Sequence, residues 1–261
     1  MMETFLPNKI ELTPGTHENE TILTVEPMSH GYGTTIGNTL RRVLLSSLEG
    51  AAVTAVKIKN VPHEFSALPN VKEDVLHIIL NLKLLRLRIS GDEPVRMTLK
   101  AKGIKKVTAE DIDAPSNVEI INSDLHIAEL TDKTAELEME IFANKGKGYV
   151  PTEAQSHKDK EIGMIGIDAL YSPVVNVGLR VEAVRVGEIT DYDKLILTVE
   201  TDGTVNPRDT VVSSTKILLD HFQLFMNLPE FEMETSKRKK KTKTEKTEEA
   251  PEKSKKTKKK K

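Results

Sequence analysis

The sequence contains no cysteine in 261 residues. That absence excludes a disulfide-stapled secreted module, and with it thiol nucleophiles, redox pairs, cysteine-bearing zinc sites and iron–sulfur clusters. Long apolar runs are missing too. No stretch reaches the roughly 18 residues of a membrane-spanning helix, and residues 1–9 have neither a basic n-region nor an apolar h-region. Neither a membrane partner nor a secretory leader is expected, and the expected compartment is the cytoplasm. Phosphate-loop spacing is lacking around Gly31, Gly33 and Gly37, which fit neither GxGxxG nor GxxxxGKS/T. These glycines are expected to shape a tight turn into a helix. The seven histidines, at 17, 30, 63, 77, 126, 157 and 221, lie far apart without an HExxH, and no GxSxG elbow is present. Catalytic residues, a metal site and a cofactor are therefore not expected in this chain.

Net charge is also small, at -2, but it hides an asymmetry. Residues 236–261 hold 14 Lys/Arg against four Glu, a local +10, which leaves residues 1–235 with 24 basic and 36 acidic side chains, or -12. So acidic a body is a poor wrapper of nucleic acid, because phosphate neutralisation supplies most non-specific affinity. The tail, with Ala250 its single hydrophobic residue, cannot bury enough surface to offset chain entropy and is expected to be disordered. Its lysines and arginine, Lys237, Arg238, Lys239, Lys240 and Lys241 foremost, form the phosphate-binding candidate.

With 38% apolar residues the chain is long enough for one large domain or two ordinary ones. Ile36, Leu40, Val43, Leu44 and Leu48 recur at helical spacing, predicting a helix over 35–49 capped by Thr34 or Thr35 and stopped at Gly50. Arg41 and Arg42 lie off that stripe and Leu45 at its margin. Val71, Val75, Ile78, Ile79 and Leu82 predict a second helix from just after Asn70, with Glu73 in a capping box. From Leu85 the period becomes two. Residues 85–89 and 95–99 read as a hairpin around the 91–94 turn, followed by strands over 118–121, 125–130, 135–142, 174–186 and 195–201, mostly antiparallel. The last element opens with Asn206 as cap and Pro207 in the first turn. Val211, Thr215, Leu218, Phe222 and Phe225 follow a 4,3,4,3 spacing while Ile217, Leu219, Leu224 and Met226 add apolar bulk on other sides. Such a helix carries more apolar surface than one packed face needs.

The run HGYGTTIGNTLRRVLLSSL over 30–48 resembles the N-terminal region of bacterial DNA-directed RNA polymerase alpha subunits. The resemblance continues through VPHEFS at 61–66, VKEDV at 71–75, NLK at 81–83, GKGYVP at 146–151, DALYSPV at 168–174, TDYDKL at 190–195 and ETDGT at 200–204. It implies an α+β fold of two domains. Residues 1–49 and 174–229 would form a discontinuous dimerisation domain, 50–173 an inserted, mostly β domain that docks the large subunits, and 230–261 a basic tail. It further implies a homodimer with Ile36, Leu40, Val43, Leu44, Leu218, Phe222 and Phe225 at the interface, the excess apolar surface being buried across a two-fold axis. Arg42 and Leu45, together with His63, Glu64 and Phe65, match positions that contact the beta subunit. Lys83, Ile167 and Val174 match positions linked to beta-prime. The polymerisation chemistry and its magnesium ions would belong to those partners.

After Leu228 the pattern departs from these relatives, which continue into a helical domain that binds promoter DNA and activators; this sequence has the Lys-rich tail instead. Two other readings compete. An archaeal-type D subunit heterodimerises and often carries a cysteine-rich cluster insert, which this chain could not ligate. A nucleoid-associated protein acting through its tail would require no binding of the tail-less body to beta.

Overall fold

A computed structural model describes residues 6–155 and 163–227. In chain order its elements are β1 (Lys9–Pro14), β2 (Glu20–Met28), α1 (Tyr32–Ser46), β3 (Glu49–Ile58), α2 (Val75–Lys83) and β4 (Leu87–Ile89). There follow β5 (Val95–Lys102), β6 (Lys105–Thr108), β7 (Ile112–Asp113), β8 (Val118–Ile120), β9 (His126–Leu130), β10 (Glu136–Lys147) and β11 (Tyr149–Val150). The chain closes with β12 (Met164–Gly166), β13 (Ala169–Leu170), β14 (Val174–Val186), β15 (Ile189–Thr201) and α3 (Pro207–Met226). The fold is α+β, as the sequence predicts. The tail residues 230–261, Lys237 to Lys241 among them, lie outside the described residues.

Two sheets organise these elements, each with its own apolar core. The first runs β1-β2-β15-β14 and is antiparallel throughout. β14 and β15 turn tightly at Gly187, whose φ of 63° suits a residue without Cβ. Their pairing sets Val177 opposite Val199 and Leu179 opposite Leu197, so alternate side chains form an apolar face under α1 and α3. Helix α1 comes unusually close to that face. Its buried row is Gly33, Gly37, Leu40 and Leu44, and a Cβ on Gly37 would stand 2.4 Å from Leu179 Cδ1 and 2.8 Å from Leu195 Cδ1. Gly33 and Gly37 are thus close-packing residues rather than parts of a turn. Only Gly31, with φ of 83°, shapes the approach to the helix.

The ends of α1 also differ from expectation. No side chain of its own caps the start, so neither Thr34 nor Thr35 has that role. The first turn instead receives a distant carboxylate: Gly33 N–H donates to Asp193 Oδ2 at 2.9 Å, and Asp193 is buried. The helix stops at Ser47, and Glu49 and Gly50 already belong to β3.

The second sheet follows the order β7-β5-β10-β3-β4-β8, with β12 also paired to β3. β10 alternates cleanly. Leu137, Met139, Ile141 and Ala143 enter the core, while Glu136 and Glu138 face outward and pair with Lys102 at 2.9 Å, Lys59 at 2.7 Å and Lys100 at 3.2 Å. Helix α2 closes the core with Val75, Ile78, Ile79 and Leu82. It begins later than its periodicity suggests. Asp74 is the cap, its Oδ1 accepting from His77 N–H at 2.8 Å. Glu73 reaches back to β9, where it accepts from Glu129 N–H at 2.7 Å and pairs with His126 at 2.8 Å, and Val71 bridges to Leu130.

The hairpin expected over 85–99 does not form. β5 pairs with β10, setting Met97 against Ile141 and Leu99 against Met139, whereas β4 pairs with β3 and β8. A three-residue strand offers few cross-strand partners, and the longer apolar ladder of β10 takes β5 instead. Strands β1, β2 and β3 lack a strong enough alternation to stand out in the sequence.

The chain passes between the two sheets at one place, and glycine makes the passage. Gly50 and Gly146 face each other across β3 and β10, and buried Tyr171 lies over both. Its hydroxyl donates to Asn144 Oδ1 at 2.6 Å and its N–H to Gly148 O at 2.8 Å. A Cβ on Gly50 would stand 1.9 Å from the Tyr171 carbonyl oxygen, and one on Gly146 would stand 2.6 Å from the ring. Gly50→Ala must therefore displace backbone, whereas Gly146→Ala need only tilt a ring. Both should destabilise in urea unfolding, Gly50→Ala at or above the upper end of the roughly 1–3 kcal/mol of an overpacked core and Gly146→Ala below it. Equal midpoints for the two variants would contradict this account.

Candidate subunit-docking surfaces

Among the described residues, nothing covers the outer side of the C-terminal half of α3. Asn206 caps its start, accepting from Arg208 N–H at 3.0 Å, and Thr210 and Ser214 are buried against the sheet. Beyond them the helix runs past the sheet's edge. Leu219 is 55% exposed, Phe222 56%, Phe225 66% and Met226 84%. Between α3 and α1 lies an apolar groove of about 270 Å³, lined by Thr35, Ile36, Thr39, Leu40, Thr215, Leu218, Leu219 and Phe222. Of the interface candidates, Ile36, Phe222 and Phe225 are exposed, Val43 and Leu218 are half-buried, and Leu40 lies at the groove floor. Leu44 is wholly enclosed by the first core and presents nothing to a partner.

The last turn of α1 separates its two arginines. Arg41 turns inward, its Nε donating to Val177 O at 3.1 Å on the outer strand of the sheet. Arg42 is exposed, and among the described residues no ion pair holds it. Leu45 is exposed beside it, its carbonyl accepting from Ser172 Oγ at 3.3 Å. The loop after β3 is a second projection. Val61 anchors it in the core, His63 Nδ1 lies 3.2 Å from Ser66 Oγ, and Glu64 and Phe65 face solvent, Phe65 being 78% exposed. No hydrogen bond or ion pair links the loop to Arg42.

Lys83 ends α2 and reaches across to the loops around Asp168. Its Nζ lies 3.3 Å from Asp168 Oδ2 and 5.8 Å from the centre of the Tyr149 ring, a cation–π distance. Asp168 Oδ1 accepts from both Thr152 N–H and Thr152 Oγ1–H at 3.0 Å. Those two donors, with Lys83 and the Tyr149 hydroxyl, hold the carboxyl of Asp168 down at about 2, and the same carboxylate raises the Tyr149 phenol. The other two residues grouped with Lys83 by sequence are interior. Ile167 is in the second core, its N–H donating to Thr54 O at 2.8 Å, and Val174 is in the first. Neither side chain reaches the surface that Lys83 occupies.

The sequence reading also passed over an exposed stripe on α2. Leu76, Leu80 and Leu84 recur every fourth residue on its outer side, 42%, 51% and 53% exposed, beside Lys83. The signal was present: residues 75–85 are apolar on more than the single face that packing on one sheet uses.

Residues 56–172 match the family model described as the RNA polymerase Rpb3/RpoA insert domain. The match supports an alpha-type RNA polymerase subunit. The matched span begins inside β3 and ends just before β14, so it carries the second sheet apart from residues 49–55 of β3, together with α2, the 63–65 loop and the Lys83–Asp168 cluster. Helices α1 and α3 flank it. That family implies association with other polymerase subunits.

The Asp168 cluster gives a titration that can be read directly. Its carboxyl should titrate with a midpoint near 2 by NMR, against an ordinary 3.8, and Thr152→Val should move the midpoint upward. A folded-state value below the unfolded one means that the stabilisation is complete above about pH 4 and is lost as pH falls toward 2. A midpoint unchanged in Thr152→Val would remove Thr152 as the main cause.

Proposed function

We propose that this chain is the non-catalytic assembly subunit of a bacterial-type, cytoplasmic and nucleoid-associated DNA-directed RNA polymerase. A homodimer would hold beta through one protomer and beta-prime through the other, while polymerisation chemistry belongs to those partners. The carrying observation is the uncovered apolar face of α1 and α3. A row of exposed Leu219, Phe222 and Phe225 beside an apolar groove is unfavourable on a free monomer, and a two-fold axis buries it against its own copy.

Residues 1–49 with 174–229 then act as the dimerisation domain and 50–173 as the docking domain, a division supported by the separate cores of the two sheets. For beta, the reading rests on exposed Arg42 and Leu45 and on the projecting 63–65 loop. An arginine without a partner among the described residues keeps its planar donors for a carboxylate or carbonyls of another chain. For beta-prime it rests on Lys83, held in place by Asp168, beside the leucine stripe of α2. Ile167 and Val174 would support that surface from within. The basic tail adds sequence-indifferent contact with DNA by counterion release.

Sedimentation equilibrium of the chain should show a dimer at micromolar concentration, and Phe222→Glu should yield a folded monomer, because the dimer would have to bury an unpaired charge. A wild-type monomer would remove the basis for this architecture. The docking surfaces should separate in reconstitution with the large subunits. Arg42→Ala should leave the dimer intact and weaken beta binding by roughly 2–5 kcal/mol, while Lys83→Ala should spare beta and weaken recruitment of beta-prime. Loss of both partners in either variant would refute the division of surfaces.

A further inference from the structure

Two chain crossings, at Gly50 and at residues 171–173, join the half built on the first sheet to the half built on the second. They run side by side, since a Cβ on Gly50 would meet both Tyr171 O and, at 3.4 Å, Pro173 Cδ. Adjacent crossings define an axis, and contacts away from that axis set the angle about it. A third contact is built across a cleft of about 180 Å³ whose lining includes Gly50, Ala51, Arg88, Thr204 and Val205.

On one side of the cleft stands β4 of the second sheet; on the other, the turn that leads from β15 into α3. Arg88 donates from Nε at 2.9 Å and from Nη2 at 2.6 Å to the single carbonyl of Thr204, while Nη1 meets Glu119 at 2.7 Å. Neighbouring Arg86 sits 3.9 Å from Asp202. The turn is rigid in its own right. Asp202 Oδ1 accepts from Thr204 N–H at 3.0 Å, Asp202 N–H donates to Pro173 O at 3.0 Å, and Gly203 has φ of 87° with space for a Cβ limited by Asn19 and Ile121, each 3.3 Å away.

We propose that Arg88 is a positioning residue that locks the angle between the two halves by gripping the Thr204 carbonyl at the base of α3. Nothing in the stability of either core calls for this grip: Arg88 is half exposed, and both apolar cores close without it. Its consequence is geometric. The α3 face is carried by one half, and Phe65, Lys83 and the α2 stripe by the other, so a free joint would present them over a range of angles. A locked joint presents them in one, which removes an ordering cost from any assembly that uses both. That consequence rests on the docking reading above, whereas the lock itself concerns this chain alone.

The absence of cysteine makes the test direct. Ala183→Cys on β14 and Lys106→Cys on β6 place one exposed label on each half of the full chain, and an excess of unlabelled chain leaves one labelled protomer in any dimer. Pulsed dipolar spectroscopy should give a single narrow distance distribution for the wild type. Arg88→Ala should lose that narrow peak to a broad distribution, with circular dichroism and thermal midpoint close to wild type and with the sedimentation behaviour unaltered. Arg88→Lys, which retains the charge but cannot place two N–H groups on one carbonyl, should also broaden it, and it serves as the variant should alanine impair folding. A distribution as narrow as wild type in either folded variant overturns the lock. Slower assembly with the large subunits by a variant whose distribution has broadened would extend the lock to docking; unchanged assembly in that variant would count against the docking reading and leave the lock standing.

Discussion

The structure depends on how the chain passes between its two sheets. β3 leaves α1 at Glu49, and the return path runs under it at residues 171–173, so two backbones occupy a space that normally holds one backbone and a side chain. Gly50 permits the backbone contact, and Gly146 opposite it permits the Tyr171 ring. A Cβ at the first position would push β3 away from Tyr171 O and tilt one sheet on the other. Every surface carried by the second half would then move relative to α1 and α3.

Surface charges contribute little to that arrangement. The ladder of Glu136 and Glu138 with Lys59, Lys100 and Lys102 is largely solvent-facing, and exposed pairs of this kind are typically worth about 0–1 kcal/mol. Stability resides in the two cores. At the proposed docking positions, Arg42 has no ion pair among the described residues and Lys83 is held by Asp168 from one side. Arg41, one residue before Arg42, is committed to Val177 O. Neighbouring residues of one type thus divide between internal structure and external contact according to the face of the helix on which they fall.

Much of this was legible in the sequence where periodicity was long. The strongly alternating β10 and β14 and the capped, overly apolar α3 could be read from spacing, and conserving helical period placed α1 to within a few residues. What failed was long-range. Asp193 caps α1 from far along the chain, Glu73 binds β9 instead of its own helix, and β5 pairs with β10 rather than with adjacent β4. Each depends on a partner distant in sequence, to which local spacing is blind. Gly33 and Gly37 were misread for the same reason, because their role is set by Leu179 and Leu195 across the sheet. Of the candidate site residues, those at helix margins and loop tips stand on the surface. Ile167, Val174 and Leu44 do not, since an apolar residue beside a surface motif has the same spacing signature whether it faces in or out.

The distribution of exposed apolar groups follows from the same topology. A helix on a sheet buries one stripe, and any second stripe needs a second surface. α1 spends its small residues on close approach to β14 and β15, which leaves Ile36 and Thr39 on the opposite side to form a groove with α3. α3 outruns its sheet after Leu218, so among the described residues nothing covers its last turns. α2 repeats the pattern on the other half, with Ile78 and Leu82 inward and Leu76, Leu80 and Leu84 outward. Each helix therefore has one apolar face that folds the chain and another that stays exposed among the described residues. The two sets lie on halves joined by a glycine passage and by the contacts of Arg88 and Arg86 with the 202–204 turn, so the relative geometry of these exposed faces is decided at the joint, away from the faces themselves.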